Sequence, residues 1–195
     1  LFRSGSWHIY RADDALRKPP RQVALALQTD DETRAICFTP KTLELLTATQ
    51  LRRHRWLTRL GPDMLDPQLD LDEILRRLRF HGSTSIGEAI MNQTIVCGIG
   101  NVYKSEVLFL CGVHPRRPVA ELNDAQLTEL LRTGRELMFK NLEGYPRRTR
   151  LGRDGGSKWV YGRAGEPCHR CGLALELTRQ GDLGRSTYFC QACQS

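Results

Sequence analysis

Cys168-His-Arg-Cys171 and Cys190-Gln-Ala-Cys193 stand near the end of the chain, two Cys-x-x-Cys pairs with eighteen residues between them. That spacing lies in the range of a four-thiolate zinc ribbon. Two residues between thiols let the backbone fold back so that both sulfurs face one ion. Zinc in structural sites takes four tetrahedral sulfurs at about 2.3 Å. Between the pairs, residues 173–178 and 186–189 read as short strands joined through Gln180-Gly181-Asp182. The expectation is a β-hairpin clamped at its base by one Zn2+ on Cys168, Cys171, Cys190 and Cys193. Two disulfides are the alternative, and this spacing in an intracellular chain favours metal. His169 is not assigned as a ligand, because four cysteines already fill the site.

Working outward, the 195 residues are 40% hydrophobic and 26% charged, ordinary for a globular protein with a core of its own. No run of eighteen apolar residues occurs, so no membrane-spanning helix is expected. No signal peptide is seen, and Cys37, Cys97 and Cys111 sit in apolar settings where a reduced thiol is the default. A cytoplasmic setting is expected, nucleoid-associated in a bacterium. Twenty-nine Lys and Arg against 22 Asp and Glu leave a formal net charge of +7. That excess favours a polyanionic partner, nucleic acid first. Leu1 is not an initiator methionine, and the first residues read as the middle of a strand and turn. The expectation is a piece of something longer.

The residues divide into four expected parts: a partial β-sandwich (1–39), a helical domain (40–143), a basic loop and linker (144–163) and the zinc finger (164–195). The fold class is α+β. In the first part, residues 23–27 and 34–38 flank Thr29-Asp30-Asp31-Glu32 as a hairpin does. Thr39-Pro40 predicts a helix start, with Thr39 as N-cap and Pro40 at the first helical position. Arg52, Arg53, His54, Arg55 and Arg59 make the next stretch basic. Asp70-Leu-Asp-Glu73 and Ser85-Ile-Gly-Glu88 read as capping boxes. The second predicts a helix running through Val96. Gly98-Ile99-Gly100-Asn101 then reverses the chain, with Asn101 as N-cap of a helix to Leu110, and a further helix is expected over residues 123–141. In the basic loop, Pro146-Arg147-Arg148-Thr149-Arg150, Arg153 and Lys158 surround one acid, Asp154, and Trp159-Val-Tyr161 reads as a strand. A helix N-terminus offers free N–H groups and a positive dipole to a phosphate. At Asn101 the alternative is a plain N-cap with no ligand.

Asn92-Gln-Thr-Ile-Val-Cys-Gly-Ile-Gly-Asn-Val-Tyr-Lys-Ser-Glu106 resembles the helix–two-turn–helix signature of the formamidopyrimidine-DNA glycosylase and endonuclease VIII family, whose members end in a four-cysteine zinc finger. The run from Gly184 to Gln194 is similar to that family's final hairpin. Gly5-Ser6-Trp7 resembles its strand and turn near the lesion, and Leu60-Gly61-Pro62-Asp63 the entry to its helical domain. The Gly61-to-Pro67 run is closer to the endonuclease VIII branch.

The resemblance implies roles. Arg185 matches an arginine that grips phosphates beside the lesion and assists strand cleavage, work that a bidentate, permanently charged guanidinium suits. Asn101 matches a DNA-contacting asparagine, and Arg59 an arginine at the DNA interface. Arg3 stands where the family places residues that wedge into the duplex as the damaged base is flipped out. The implied function is a bifunctional glycosylase and abasic-site lyase for oxidised bases, pyrimidines by branch, in base excision repair. The implied partner is double-stranded DNA carrying a damaged base or abasic site, with monomer as the default state. The family's nucleophile is the amine of an N-terminal proline in a Pro-Glu start, helped by a lysine on a later strand. That amine attacks C1′ and forms a Schiff base before the strand is cut. None of the three has a match here, so the chain as it stands is expected to bind DNA without cutting it. A zinc-dependent DNA-binding protein without catalysis is the other reading.

Overall fold

The computed structural model describes residues 2–3, 5–142, 147–152 and 156–195. The expectations that rest on the Arg3 side chain and on Pro146, Arg153 and Asp154 lie outside the described residues. The chain divides into two compact units, Leu1–Thr58 and Arg59–Ser195.

In the first unit, β2 (Ser6–Arg11), β3 (Val23–Gln28) and β4 (Thr33–Phe38) form an antiparallel sheet in the order β2-β4-β3, while β1 (Phe2–Arg3) pairs with β5 (Thr42–Leu43). The expected hairpin is present, with Gln28 opposite Arg34 and Leu25 opposite Cys37. Tyr10, Ile36 and Phe38 form its buried face, with Leu16 and Val23 packed against them. The helix expected after Thr39-Pro40 does not form. Thr39 takes φ +43°, its N–H donates to the Gln22 carbonyl at 3.0 Å, and Thr42 and Leu43 pair with β1. Backbone partners supplied by a neighbouring strand outweigh a local cap signal that has no helix-forming run behind it. The helix starts instead at α1 (Ala48–Arg52), where Thr47 and Gln50 make a reciprocal capping box.

The second unit is organised around α4 (Asn101–Leu110). Around it stand α2 (Leu71–Phe80), α3 (Ile86–Ala89), α5 (Asp124–Phe139) and the hairpin of β6 (Glu176–Gln180) and β7 (Arg185–Phe189). Residues 103–109 of α4 are all buried, because α5 covers one side and β7 another. Met64, Ile74, Ile86, Ile95, Leu108 and Leu131 belong to one core. Phe109, Val160, Leu175 and Cys190 form a second beneath the zinc-finger region. α5 forms where the helix is expected and opens on a capping box that the sequence reading did not place, with the Asn123 side chain accepting from Gln126 N and the Gln126 side chain from Asn123 N. At α2 the Asp70 carboxylate accepts the Glu73 N–H at 3.0 Å, but Glu73 turns to Arg76 and Arg77.

The helix from Ser85 is shorter than expected, ending at Ala89. The Asn92 side chain accepts from Thr94 N at 3.0 Å and Thr94 Oγ1 at 2.8 Å, turning the chain out of the helical path. Cys97 then lies beside the Gly61-Pro62-Asp63 segment, its N–H donating to the Pro62 carbonyl at 2.8 Å. Ile95 and Val96 are therefore buried from a turn and not from a helix face. A Cβ at Gly61 would fall 2.3 Å from the Ile95 carbonyl oxygen, so only glycine lets the two segments meet.

Candidate nucleic-acid interface and metal centre

The sulfurs of Cys168, Cys171, Cys190 and Cys193 lie within 4.8 Å of one another. Cys168 and Cys193 are 3.9 Å apart, and Cys171 and Cys190 are 3.4 Å apart. A tetrahedron of sulfurs at about 2.3 Å from zinc has an edge of about 3.8 Å, whereas a disulfide needs about 2.05 Å. The spacing fits the ion. The thiols also pull against one another: the Leu173 N–H draws Cys171 down to about 7, while partial burial and the neighbouring thiols push Cys193 up to about 12. A divalent cation removes that conflict by letting all four be thiolates. The hairpin above it spans Glu176–Gln180 and Arg185–Phe189, so its turn is Gly181 to Gly184, later than the sequence reading placed it.

α4 is stitched to this hairpin along β7. The Asn101 side-chain amide donates to Ser186 Oγ at 3.1 Å, the Lys104 ammonium to the Ser186 carbonyl at 3.1 Å and to Thr187 Oγ1 at 2.6 Å, and Tyr188 N to Ser105 Oγ at 3.2 Å. Asn101 is not the N-cap. Gly100 holds that position in extended backbone, and Asn101 is the first helical residue. Its side chain is free to reach the hairpin for that reason. Its Oδ1 is buried with no donor among the described residues.

Before α4, Gly98 adopts φ +102°, and its N–H donates to Gln93 Oε1 at 3.1 Å. The Gln93 amide in turn donates to the Met91 and Ile99 carbonyls. One side chain thus holds both turns. At Gly100 an added Cβ would meet nothing within 4 Å, so packing within the chain does not require glycine there.

Arg185 is exposed and has no ion-pair partner among the described residues. It lines a cleft of about 510 Å3 together with Glu88, Asn92, Gln93, Lys104 and Asp182. The structure therefore brings Arg185 and Asn101 to the same strand of the hairpin. Arg59 opens the second unit in an exposed position, and among the described residues no hydrogen bond or ion pair joins it to either of them.

The basic loop is anchored at both ends. Asn141 pairs with the Arg148 backbone through its Nδ2 at 2.7 Å and its Oδ1 at 2.6 Å. The buried Glu106 carboxylate accepts the N–H groups of Trp159, Val160 and Tyr161 at 2.8, 2.9 and 2.7 Å, and also bonds the Thr149 hydroxyl. The strand expected over residues 159–161 is absent because its donors converge on that carboxylate. Arg147 stacks on Tyr103 and Arg150 on Trp159, with centroid distances of 4.8 and 5.4 Å. Arg147, Lys158, Tyr103 and Asp63 line a second cleft of about 710 Å3. Sequence reasoning assigns no role of their own to Lys104, Ser105 and Glu106, although they stand inside the motif. Two charged residues inside an otherwise apolar helix were the available signal.

Residues 60–149 match the family described as formamidopyrimidine-DNA glycosylase H2TH domain, and residues 165–195 the zinc finger found in FPG and IleRS. The chain is 37% identical to a probable endonuclease 8 2 of Streptomyces coelicolor over all of its own length and 70% of the relative. It is 34% identical to the DNA-(apurinic or apyrimidinic site) lyase Nei2 of Mycolicibacterium smegmatis, of which it covers 73%. Its fold matches Lactococcus lactis Fpg in complex with DNA containing an abasic site, with a TM-score of 0.79 and 26% identity over 98% of this chain and 72% of that one. The chain belongs to the formamidopyrimidine-DNA glycosylase and endonuclease VIII family.

Proposed function

We propose that these residues form the DNA-gripping part of a bifunctional DNA glycosylase and abasic-site lyase that removes oxidised bases, pyrimidines by preference, in base excision repair. The observation that carries this reading is the 3.1 Å bond from Asn101 to Ser186. It sets the first turn of α4 against the strand that bears Arg185. A phosphate between them would meet helix N–H groups on one side and a guanidinium on the other. The open space at Gly100 lets a backbone approach closely. The orphaned Asn101 Oδ1 supports an exchange of partners on binding, since an unmet buried acceptor costs about 1–3 kcal/mol. Arg59 adds a further phosphate contact from its exposed position. Arg147, Arg148, Arg150 and Lys158 extend the basic surface on the anchored loop. One structural Zn2+ holds the hairpin, and the protein acts as a cytoplasmic monomer.

The proline amine of the family has no counterpart among these residues. The chain assayed alone is therefore expected to bind duplex DNA with an abasic site and to form no Schiff base. Arg185 would assist strand cleavage only where that amine is supplied. The test is a titration with abasic and intact duplexes, followed by borohydride trapping. Salt-sensitive binding with no covalent adduct is the expected result. Failure to bind either duplex, or an adduct with this chain, would overturn the reading. Equal binding to both duplexes is the outcome expected of a grip made through phosphates alone.

A further inference from the structure

Lys104 is fully buried, yet among the described residues its ammonium has only neutral acceptors: the Ser186 carbonyl and the Thr187 hydroxyl. Thr187 is equally buried and passes its own hydrogen to Gln180 Oε1 at 2.8 Å. The Gln180 amide then donates to the Pro115 carbonyl at 3.0 Å. An ammonium only donates, a hydroxyl accepts and passes on, and an amide ends on a carbonyl, so the chain of bonds runs in one direction. It crosses the hairpin beside its turn, where Gln180 and Arg185 are the last paired residues. Thr187 and Arg185 are two apart on β7 and so face the same side.

Stability alone does not account for a lysine here. An apolar side chain would fill the space without desolvating a charge, and replacing buried charges by packed apolar groups is often neutral or stabilising. Burial first, and the like charge of Arg185 second, lower the Lys104 pKa to about 8, while Glu88 opposes them. Glu88, Asp182 and Arg185 all line the same cleft as Lys104. A single set of directional bonds does what apolar packing cannot, which is to fix one register and one orientation of β7.

We propose that Lys104, acting through Thr187 and the Ser186 carbonyl, is the positioning residue that aims Arg185 at a DNA phosphate. The inference rests on the proposed function, because it needs Arg185 to grip phosphate. Its test uses duplexes in which single phosphates are replaced by neutral methylphosphonates. In the zinc-loaded wild-type chain, one position is expected to weaken binding about tenfold, the weight of a charge-assisted contact. That penalty should vanish in Arg185→Ala. If no position behaves so, the phosphate role of Arg185 fails, and the proposed function with it.

Where such a position exists, Thr187→Val decides the inference. It keeps every charge and nearly the same volume but removes the hydroxyl that links Lys104 to Gln180. The penalty at that phosphate should shrink to less than about threefold, with zinc content as in wild type and the chain still folded, its melting temperature lowered because Gln180 Oε1 loses its donor. Lys104→Met should do the same, and Thr187→Ser, which retains the hydroxyl, should restore the full penalty. A full penalty in Thr187→Val, or a lost one in Thr187→Ser, would overturn the assignment. So would an affinity loss that is equally large in the Arg185→Ala background, since it would then not pass through Arg185.

Discussion

The Glu106 carboxylate accepts the backbone N–H of Tyr161 at 2.7 Å, fixing the end of the basic loop to the middle of α4. With Trp159 and Val160 bound to the same group, three successive amides share one buried anion. Glu106→Gln places an –NH2 against donors that need an acceptor. Unfolding free energy is expected to fall by about 3 kcal/mol, the range for bonds to a buried charge. Urea denaturation of the zinc-loaded chain measures this, and limited proteolysis should show faster cleavage between residues 147 and 161.

Two glycines near the turn region should behave oppositely. Gly61→Ala forces a Cβ to 2.3 Å from a backbone carbonyl, so it should destabilise by more than about 2 kcal/mol. Gly100→Ala has open space and an ordinary extended φ. Its stability change should stay within about 1 kcal/mol, the loss of a good cap residue. Its DNA affinity should drop if, as proposed, a phosphate backbone comes close at that open space. Thermal melts and duplex titrations of both variants separate the two effects.

Chelation of zinc, or Cys190→Ser, should abolish DNA binding while leaving the helical core folded. Cys190 is buried with Phe109, Val160 and Leu175, so losing the ion frees the hairpin and the second core together. The first core, around Met64 and Leu108, contains no cysteine ligand. Circular dichroism should therefore retain most helical signal as affinity disappears, and added zinc should restore binding to the chelated wild type.

What could be read from the sequence was local. The Cys-x-x-Cys spacing, the Asp70 cap at the start of α2 and the hairpin around Thr29 depend on contacts between near neighbours, and each appears in the structure. Thr39-Pro40 misled because its competitor, β1, lies far away in sequence. The helix through Val96 failed because burial at Ile95 and Val96 is satisfied equally from a turn held by Asn92 and Pro62. Asn101 was found by its motif, but its bond to Ser186 spans 85 residues and has no local signature. Lys104 and Glu106 were hidden for the same reason: their partners are on the hairpin and the loop.

Lys104 also gives stability a pH signature. Its pKa is lowered from 10.5 to about 8, so between those values the unfolded chain holds the proton more tightly than the folded one. Stability from this group therefore rises with pH across that window, and the penalty for burying the charge is fully present below pH 8. Comparing wild type with Lys104→Met isolates it. The difference in unfolding free energy should shift in favour of wild type from pH 8 to pH 10. A difference constant across that range would remove the burial argument for Lys104.

If phosphate contacts dominate, affinity should fall steeply with salt, log K dropping linearly with log salt by about 0.9 for each phosphate neutralised. Arg185→Ala should lower the slope by about one and weaken abasic and intact duplexes together, because a phosphate contact carries no base information. Arg59→Ala should reduce the slope by a similar amount if it touches DNA, and leave it unchanged if its exposed guanidinium only faces solvent. The two losses should add, since no bond joins Arg59 to the Asn101–Arg185 pair among the described residues. A strongly non-additive double variant would mean that the two arginines share one phosphate. A slope near zero in the wild type would mean that the positive charge is not what holds the duplex.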